Sequence, residues 1–228
     1  MSRRDRFRGV MLGTAVGDSI GLPAEGISPA RSKKLFPGRW RQRLVINRGM
    51  VSDDTDHTVF VAQSLLTYPD SVELFVRRLS RCLRGWFLSL PPGIGLATLR
   101  SILRSWLISP LRSGVYSAGN GPAMRSAPIG AFFALSRQRM NDYVQASTRL
   151  THTDPRALTG AKAVALIAAW SIRENLEERP ELQEFLDLLQ QAGQQDREWV
   201  SALVSMASAY AQVRSVQQFA DSLGLSQG

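Results

Sequence analysis

The chain is poor in several residues that usually carry recognisable chemistry. Of its 228 residues, one is cysteine (Cys82), two are histidine (His57 and His152) and three are lysine (Lys33, Lys34 and Lys162). A single cysteine excludes an internal disulfide framework and fits a reducing compartment. No apolar run is long enough to cross a bilayer, and the start, Met1-Ser-Arg-Arg-Asp-Arg-Phe-Arg, lacks the apolar core of a secretory signal. The expectation is a soluble cytoplasmic protein without a membrane partner. Strand patterns are nearly missing too: only Leu44-Val45-Ile46 reads as a short strand, and nothing obvious pairs with it.

A hydrophobic fraction of 44% argues against disorder, and 228 residues suit one domain with a large core. The net charge is +9, and 25 of the 28 basic residues are arginine. A basic surface suits phosphates, nucleic acid or an acidic protein. A GC-rich coding bias accounts for the arginine equally well, and the charge is spread along the chain. Nucleic-acid binding therefore rests on charge alone and is the minority reading.

The periodicity predicts nine or so helices in one all-α domain. The first, 7–22, carries Gly9, Gly13, Gly17 and Gly21 on one face, a spacing that suggests close approach of a helix or ligand. Asp18 and Glu25 nearby read, each taken alone, as solvated acids. Further helices are predicted over 52–66, 70–88 (with a capping box from Asp70 to Glu73), 96–107 and 131–135. Another is capped by Asn141 or Asp142 and ends near residue 150. Asp154 before Pro155 is a strong start for a helix over 156–172, apolar nearly all round and so central. Helices over 180–191, 196–213 and 215–223 follow a polar break at 177–179, and Gly224 is a stop signal.

The densest polar stretch is Ser52-Asp53-Asp54-Thr55-Asp56-His57-Thr58. Ser52 is a good N-cap, and acids in a first helical turn are favoured by the unpaired N–H groups. Three crowded carboxylates repel one another unless a cation or protons intervene, and Mg²⁺ is held by carboxylates, hydroxyls and water. An over-capped helix start and a metal cluster both fit. A second special stretch, Gly119-Asn120-Gly121, reads as a turn leading into a helix, where free N–H groups can hold a phosphate. Arg125 lies one turn on, placed for an anion or simply solvated. His152, taken alone, reads as a core or capping histidine.

Four ordered segments together resemble the ADP-ribosylglycohydrolases. They are Gly13-Thr-Ala-Val-Gly-Asp18-Ser-Ile-Gly21-Leu-Pro23-Ala-Glu25, then Ser52-Asp53-Asp54-Thr55, then 119–130, then Thr151-His152-Thr-Asp-Pro155. The resemblance implies an orthogonal helical bundle around a two-metal Mg²⁺ (or Mn²⁺) cleft. It implies Ser52, Asp53 and Asp54 as metal ligands, and Glu25 and Asp54 as the catalytic acids. Gly119, Asn120, Gly121 and His152 would bind the substrate, ADP-ribose or an ADP-ribosylated protein. The implied activity is metal-dependent hydrolysis of the N- or O-glycosidic bond between ADP-ribose and a modified side chain or related conjugate.

One departure stands out. The family closes with an Asp-x-Asp-Thr motif that supplies the second half of the metal site, and no Asp-x-Asp pair follows Asp154 here. The expectation is one domain over 1–228, shortened at its C-terminal side, with an incomplete dinuclear site. The alternative is a non-catalytic relative that binds ADP-ribose or a partner.

Overall fold

A computed structural model describes residues 2–44, 46, 48–91, 93–174 and 180–223. Ser2 opens the first helix: its hydroxyl accepts from the Asp5 N–H, and the Asp5 carboxylate accepts from the Ser2 N–H, both at 3.2 Å. This reciprocal box starts α1 (Arg3–Gly21) four residues earlier than the periodicity predicts. The helix packs on the core through Phe7 and Val10, so Gly9, Gly13 and Gly17 fall on the opposite, exposed face. A methyl at any of the four glycines would meet nothing within 4 Å. The expected close approach is not there, because a spacing of four selects a face but not which face turns inward.

After a 3₁₀ turn and the short α2 (Pro29–Leu35) comes α3 (Asp53–Thr67), then α4 (Val72–Leu88) and α5 (Leu96–Leu107). Helix α4 buries Phe75, Val76, Leu79, Leu83 and Trp86, each fully buried large side chain contributing about 2 kcal/mol. Its cap is Ser71, which accepts from the Leu74 N–H, so the box expected between Asp70 and Glu73 does not form. Glu73 pairs instead with Arg77. Two one- or two-turn helices follow, α6 (Gly121–Met124) and α7 (Ala127–Phe132). Helix α8 (Arg137–Thr151) starts after Ser136 rather than at Asn141 or Asp142. Helix α9 (Pro155–Arg173) begins as expected: the Asp154 carboxylate accepts from the Arg156 N–H at 2.9 Å, with Pro155 next in line. The chain ends in α10 (Leu182–Gln190), α11 (Arg197–Gln212) and α12 (Val216–Ser222).

Helix α9 touches α1, α6, α7, α8 and α10 and is the central element. Its buried alanines, Ala157, Ala161, Ala163, Ala165, Ala168 and Ala169, let neighbours come close. Closest is α7, where a methyl added at Gly130 would overlap the Ala165 carbonyl. The architecture is all-α, with no strand among the described residues and one isolated parallel bridge between Val115 and His152. At the expected strand, Ile46 has φ 45° and is 93% exposed, a left-handed turn rather than extended chain. Val45, the break at 177–179 and the stop at Gly224 lie outside the described residues.

Candidate active site

The end of α1 and the start of α3 are joined by one carboxylate. Asp18 Oδ2 accepts from the Ser52 N–H at 2.8 Å, the Thr55 N–H at 3.2 Å and the Thr55 hydroxyl at 2.5 Å. Asp18 Oδ1 accepts from the Ser52 hydroxyl at 2.7 Å. Asp18 is thus no solvated acid: it is 9% exposed and caps a helix 34 residues away in sequence. Ser52 occupies the N-cap position but makes no cap bond of its own to the α3 backbone. Its hydroxyl proton goes to Asp18, which leaves the oxygen's lone pairs for another partner.

The seven-residue stretch then splits in two directions. Asp53 and Asp54 remain half-buried at the α3 start and line a cleft. Asp56 instead accepts from the Trp86 indole N–H at 3.0 Å. His57 is fully buried, its ring edge-on to Trp86 with centroids 4.6 Å apart. Burial, with the Arg125 charge added, holds its imidazole well below the usual range, so it is a neutral core residue.

The opposite wall comes from α5, α6 and the end of α8. Chain pairing sets it: the Val115 N–H donates to the Thr151 carbonyl at 3.1 Å and the Thr153 N–H to the Val115 carbonyl at 2.9 Å. At Gly114 the loop passes so close that a methyl would overlap the Arg149 carbonyl. This anchorage lays Gly119 and Gly121 on the His152 ring. A Cβ at Gly119 would stand 3.0 Å from His152 Nε2, and one at Gly121 would stand 3.1 Å from Cε1. Asn120 is exposed beside them and makes no cap bond to α6. His152 is 2% exposed, and burial followed by the Arg125 charge lowers its pKa to about 4.

Glu25, Asp53, Asp54, Thr98, Ser117, Gly119, Asn120, Gly121, Met124 and His152 all line this cleft of about 540 Å³. A larger groove of about 750 Å³ lies elsewhere, between Phe7, Leu66, Phe132 and Leu135, without a carboxylate in its lining. Burial raises the Glu25 carboxyl, and the Asp54, Asp53 and Asp18 charges raise it further. Burial likewise raises Asp53 and Asp54, with neighbouring carboxylates adding to it. Such crowding fits a cation, and an all-oxygen donor set fits a hard one. Among the described residues no three His, Cys, Asp or Glu side chains come together as a metal cluster. Two carboxylates and a hydroxyl are nevertheless what Mg²⁺ takes from a protein when water and substrate fill the other positions.

Arg125 overturns its expectation. It is neither at an anion site nor solvated but wholly buried, and burial lowers its pKa to about 10. Thr98, Ser117 and Met124 also line the cleft, and residues of these types carry no signal in a sequence without the fold.

The ADP-ribosylglycohydrolase family model matches residues 1–227. The chain belongs to the ADP-ribosylglycohydrolase family. It is 36% identical over 176 residues to an uncharacterized protein of Archaeoglobus fulgidus, covering 74% of this chain and 56% of that one. It is 29% identical over 169 residues to an ADP-ribosyl-(dinitrogen reductase) glycohydrolase of Rhodospirillum rubrum, covering 68% and 53%. The chain therefore spans just over half the length of these curated relatives. A solved ADP-ribosylglycohydrolase-related protein complex shares the fold, with TM-score 0.63 at 22% identity over 99% of this chain and 82% of that one. No helix among the described residues is long and apolar enough to cross a membrane. For this family member, the segments that carry the sequence resemblance converge on the single cleft just described.

Proposed function

We propose that this ADP-ribosylglycohydrolase family member is a metal-dependent hydrolase of the glycosidic bond between ADP-ribose and a modified protein side chain or related conjugate. The observation that carries the reading is the meeting of Glu25, Asp53, Asp54, the glycine loop and His152 in one cleft. Asp53, Asp54 and the Ser52 oxygen would hold Mg²⁺ or Mn²⁺, which when bound orients ribose hydroxyls and polarises water.

The chain's own residues supply the rest. Glu25, at the rim, has a raised carboxyl pKa and so keeps its proton to a higher pH than a free carboxylic acid. That suits it to protonate the departing group as positive charge develops at the anomeric carbon. Asp54, half-buried beside it, is placed to accept a proton from the incoming water. Gly119 and Gly121 offer a surface without side chains against which a ribose or diphosphate can lie. Asn120 adds an amide to it, and the His152 imidazole, neutral at pH 7, backs it.

A second reading, a binding relative without catalysis, is favoured by the cleft holding, among the described residues, only Glu25, Asp53 and Asp54 as acids. Calorimetric titration with Mg²⁺ or Mn²⁺, with and without ADP-ribose, separates the two. Metal binding that tightens with ADP-ribose, together with release of ADP-ribose from a modified peptide, supports the hydrolase. ADP-ribose binding without metal binding supports the second reading. Binding of neither removes both, and an Asn120→Ala variant with unchanged ADP-ribose affinity removes the loop from the site.

A further inference from the structure

The interior behind the glycine loop holds a cation with no carboxylate bonded to it. Arg125 Nε donates to the Ser147 hydroxyl at 3.1 Å, and Nη2 donates to the Ser147 carbonyl at 2.9 Å and to the Thr151 hydroxyl at 2.6 Å. Nη1 has no hydrogen-bond partner among the described residues. Burying a guanidinium this way is costly. What it does reach is the Thr151 oxygen, which stands 2.8 Å from His152 Nδ1.

The proton bookkeeping of that chain has one economical solution. A guanidinium only donates, so it occupies a lone pair of Thr151 Oγ1. The Thr151 hydroxyl proton then needs an acceptor, and the one within bonding reach is His152 Nδ1. Accepting at Nδ1 leaves the ring proton on Nε2. The nearby positive charge also polarises the Thr151 O–H toward Nδ1 and opposes a second proton on the ring. Nε2 is the ring nitrogen that faces Gly119, and His152 lines the cleft together with that glycine.

We propose that Arg125 and Thr151 are positioning residues that lock His152 as the neutral Nε2–H tautomer, so that it presents a hydrogen-bond donor to an oxygen acceptor of the ligand. The ligand class is an oxygen-rich one, whether a ribose hydroxyl oxygen or a diphosphate oxygen. A ligand that offers only a donor at this point is refused, because the imidazole has no lone pair left there. Naming ADP-ribose as that ligand rests on the function proposed above, whereas the tautomer itself does not.

The test is ¹⁵N nuclear magnetic resonance of the histidine-labelled full chain, without ligand, at neutral pH. Only two histidines contribute, and His152→Gln identifies which signals are which. The expected result is a protonated-type Nε2 and an unprotonated Nδ1 for His152, retained in Thr151→Ser and mixed in Thr151→Val. A wild-type Nδ1–H, or an unchanged tautomer in Thr151→Val, overturns the proposal. ADP-ribose affinity should fall about tenfold in Thr151→Val and stay within about twofold in Thr151→Ser. Arg125→Met should give the same mixed tautomer, and an unchanged one removes Arg125 from the lock; Thr151→Val keeps the volume, so it remains informative if Arg125→Met fails to fold. If the tautomer is as stated and wild-type protein binds no ADP-ribose, the ligand reading fails and the lock stands.

Discussion

The two walls of the cleft solve opposite electrostatic problems. On the α1 and α3 wall, Asp53 and Asp54 stand half-buried among other carboxylates, and their pKa values are raised by burial first and then by neighbouring charges, Asp18 and Asp56 at Asp53, Asp53 and Asp18 at Asp54. On the α6 and α8 wall, burial and the Arg125 charge hold His152 neutral. One wall gathers negative charge, which a cation from outside would balance under the function proposed above. The other carries its cation inside, sealed from solvent, and faces the cleft with a neutral ring and bare glycine backbone. Under the proposed function, a ligand with a diphosphate and ribose hydroxyls would match that asymmetry, with hydroxyls toward the acid wall and acceptor oxygens toward the neutral one.

Removing the carboxylate that holds the acid wall should have the largest effect. Asp18→Ala strands two backbone N–H groups and two hydroxyls, and we expect a loss of about 3 kcal/mol in denaturant unfolding. A loss under about 1 kcal/mol would mean that the α3 start holds itself, and that the walls are less different than described.

Next come two glycines, one packed between helices and one on an open helix face. Gly130→Ala should cost about 2 kcal/mol, because its methyl meets the Ala165 carbonyl on α9. Gly13→Ala, on the open face of α1, should stabilise by up to about 1 kcal/mol through helix propensity. Equal effects would sink the distinction between the packed and unpacked faces.

The charge difference between the walls is sharpened by Asp53→Ala and Asp54→Ala. Without metal, each should be neutral or stabilising by up to about 1 kcal/mol, since a repelled carboxylate is removed. The proposed function also predicts that millimolar Mg²⁺ raises the melting temperature of the parent and that each substitution abolishes the rise. A Mg²⁺ shift that survives both substitutions places the ion elsewhere.

The last test is a slope along pH rather than a single loss. His152 has a pKa of about 4 when folded against an ordinary 6.5, so the unfolded chain binds more protons between those values. Its contribution is complete above pH 6.5 and is lost as pH falls toward 4. His57 has the same sign. His152→Gln should therefore flatten the stability profile over that window without abolishing the slope. An unchanged slope would mean that His152 is no more buried folded than unfolded.

Some of this was legible in the residues because it depends on near neighbours. The Asp154–Pro155 start, the extent of α5 and the apolar faces of α4 and α9 are periodic or capping signals that act within a turn or two. The acids 52–54 and the loop 119–121 stood out for the same reason, as local concentrations of unusual residues. The α8 start was misplaced because Ser136 is a weak signal beside Asn141 and Asp142, and a local rule cannot weigh the packing that decides.

Sequence alone determined an all-α chain of the ADP-ribosylglycohydrolase family, with its special residues at helix ends. Tertiary structure alone decided which of those residues meet. It turned Asp18 from a surface acid into the cap of a distant helix, and it sent Asp56 and His57 of one short stretch into the core while Asp53 and Asp54 stayed in the cleft. It also buried Arg125 behind His152. Those choices depend on contacts between residues tens of positions apart, where helix period and capping chemistry carry no information and only the closing of the bundle fixes who neighbours whom.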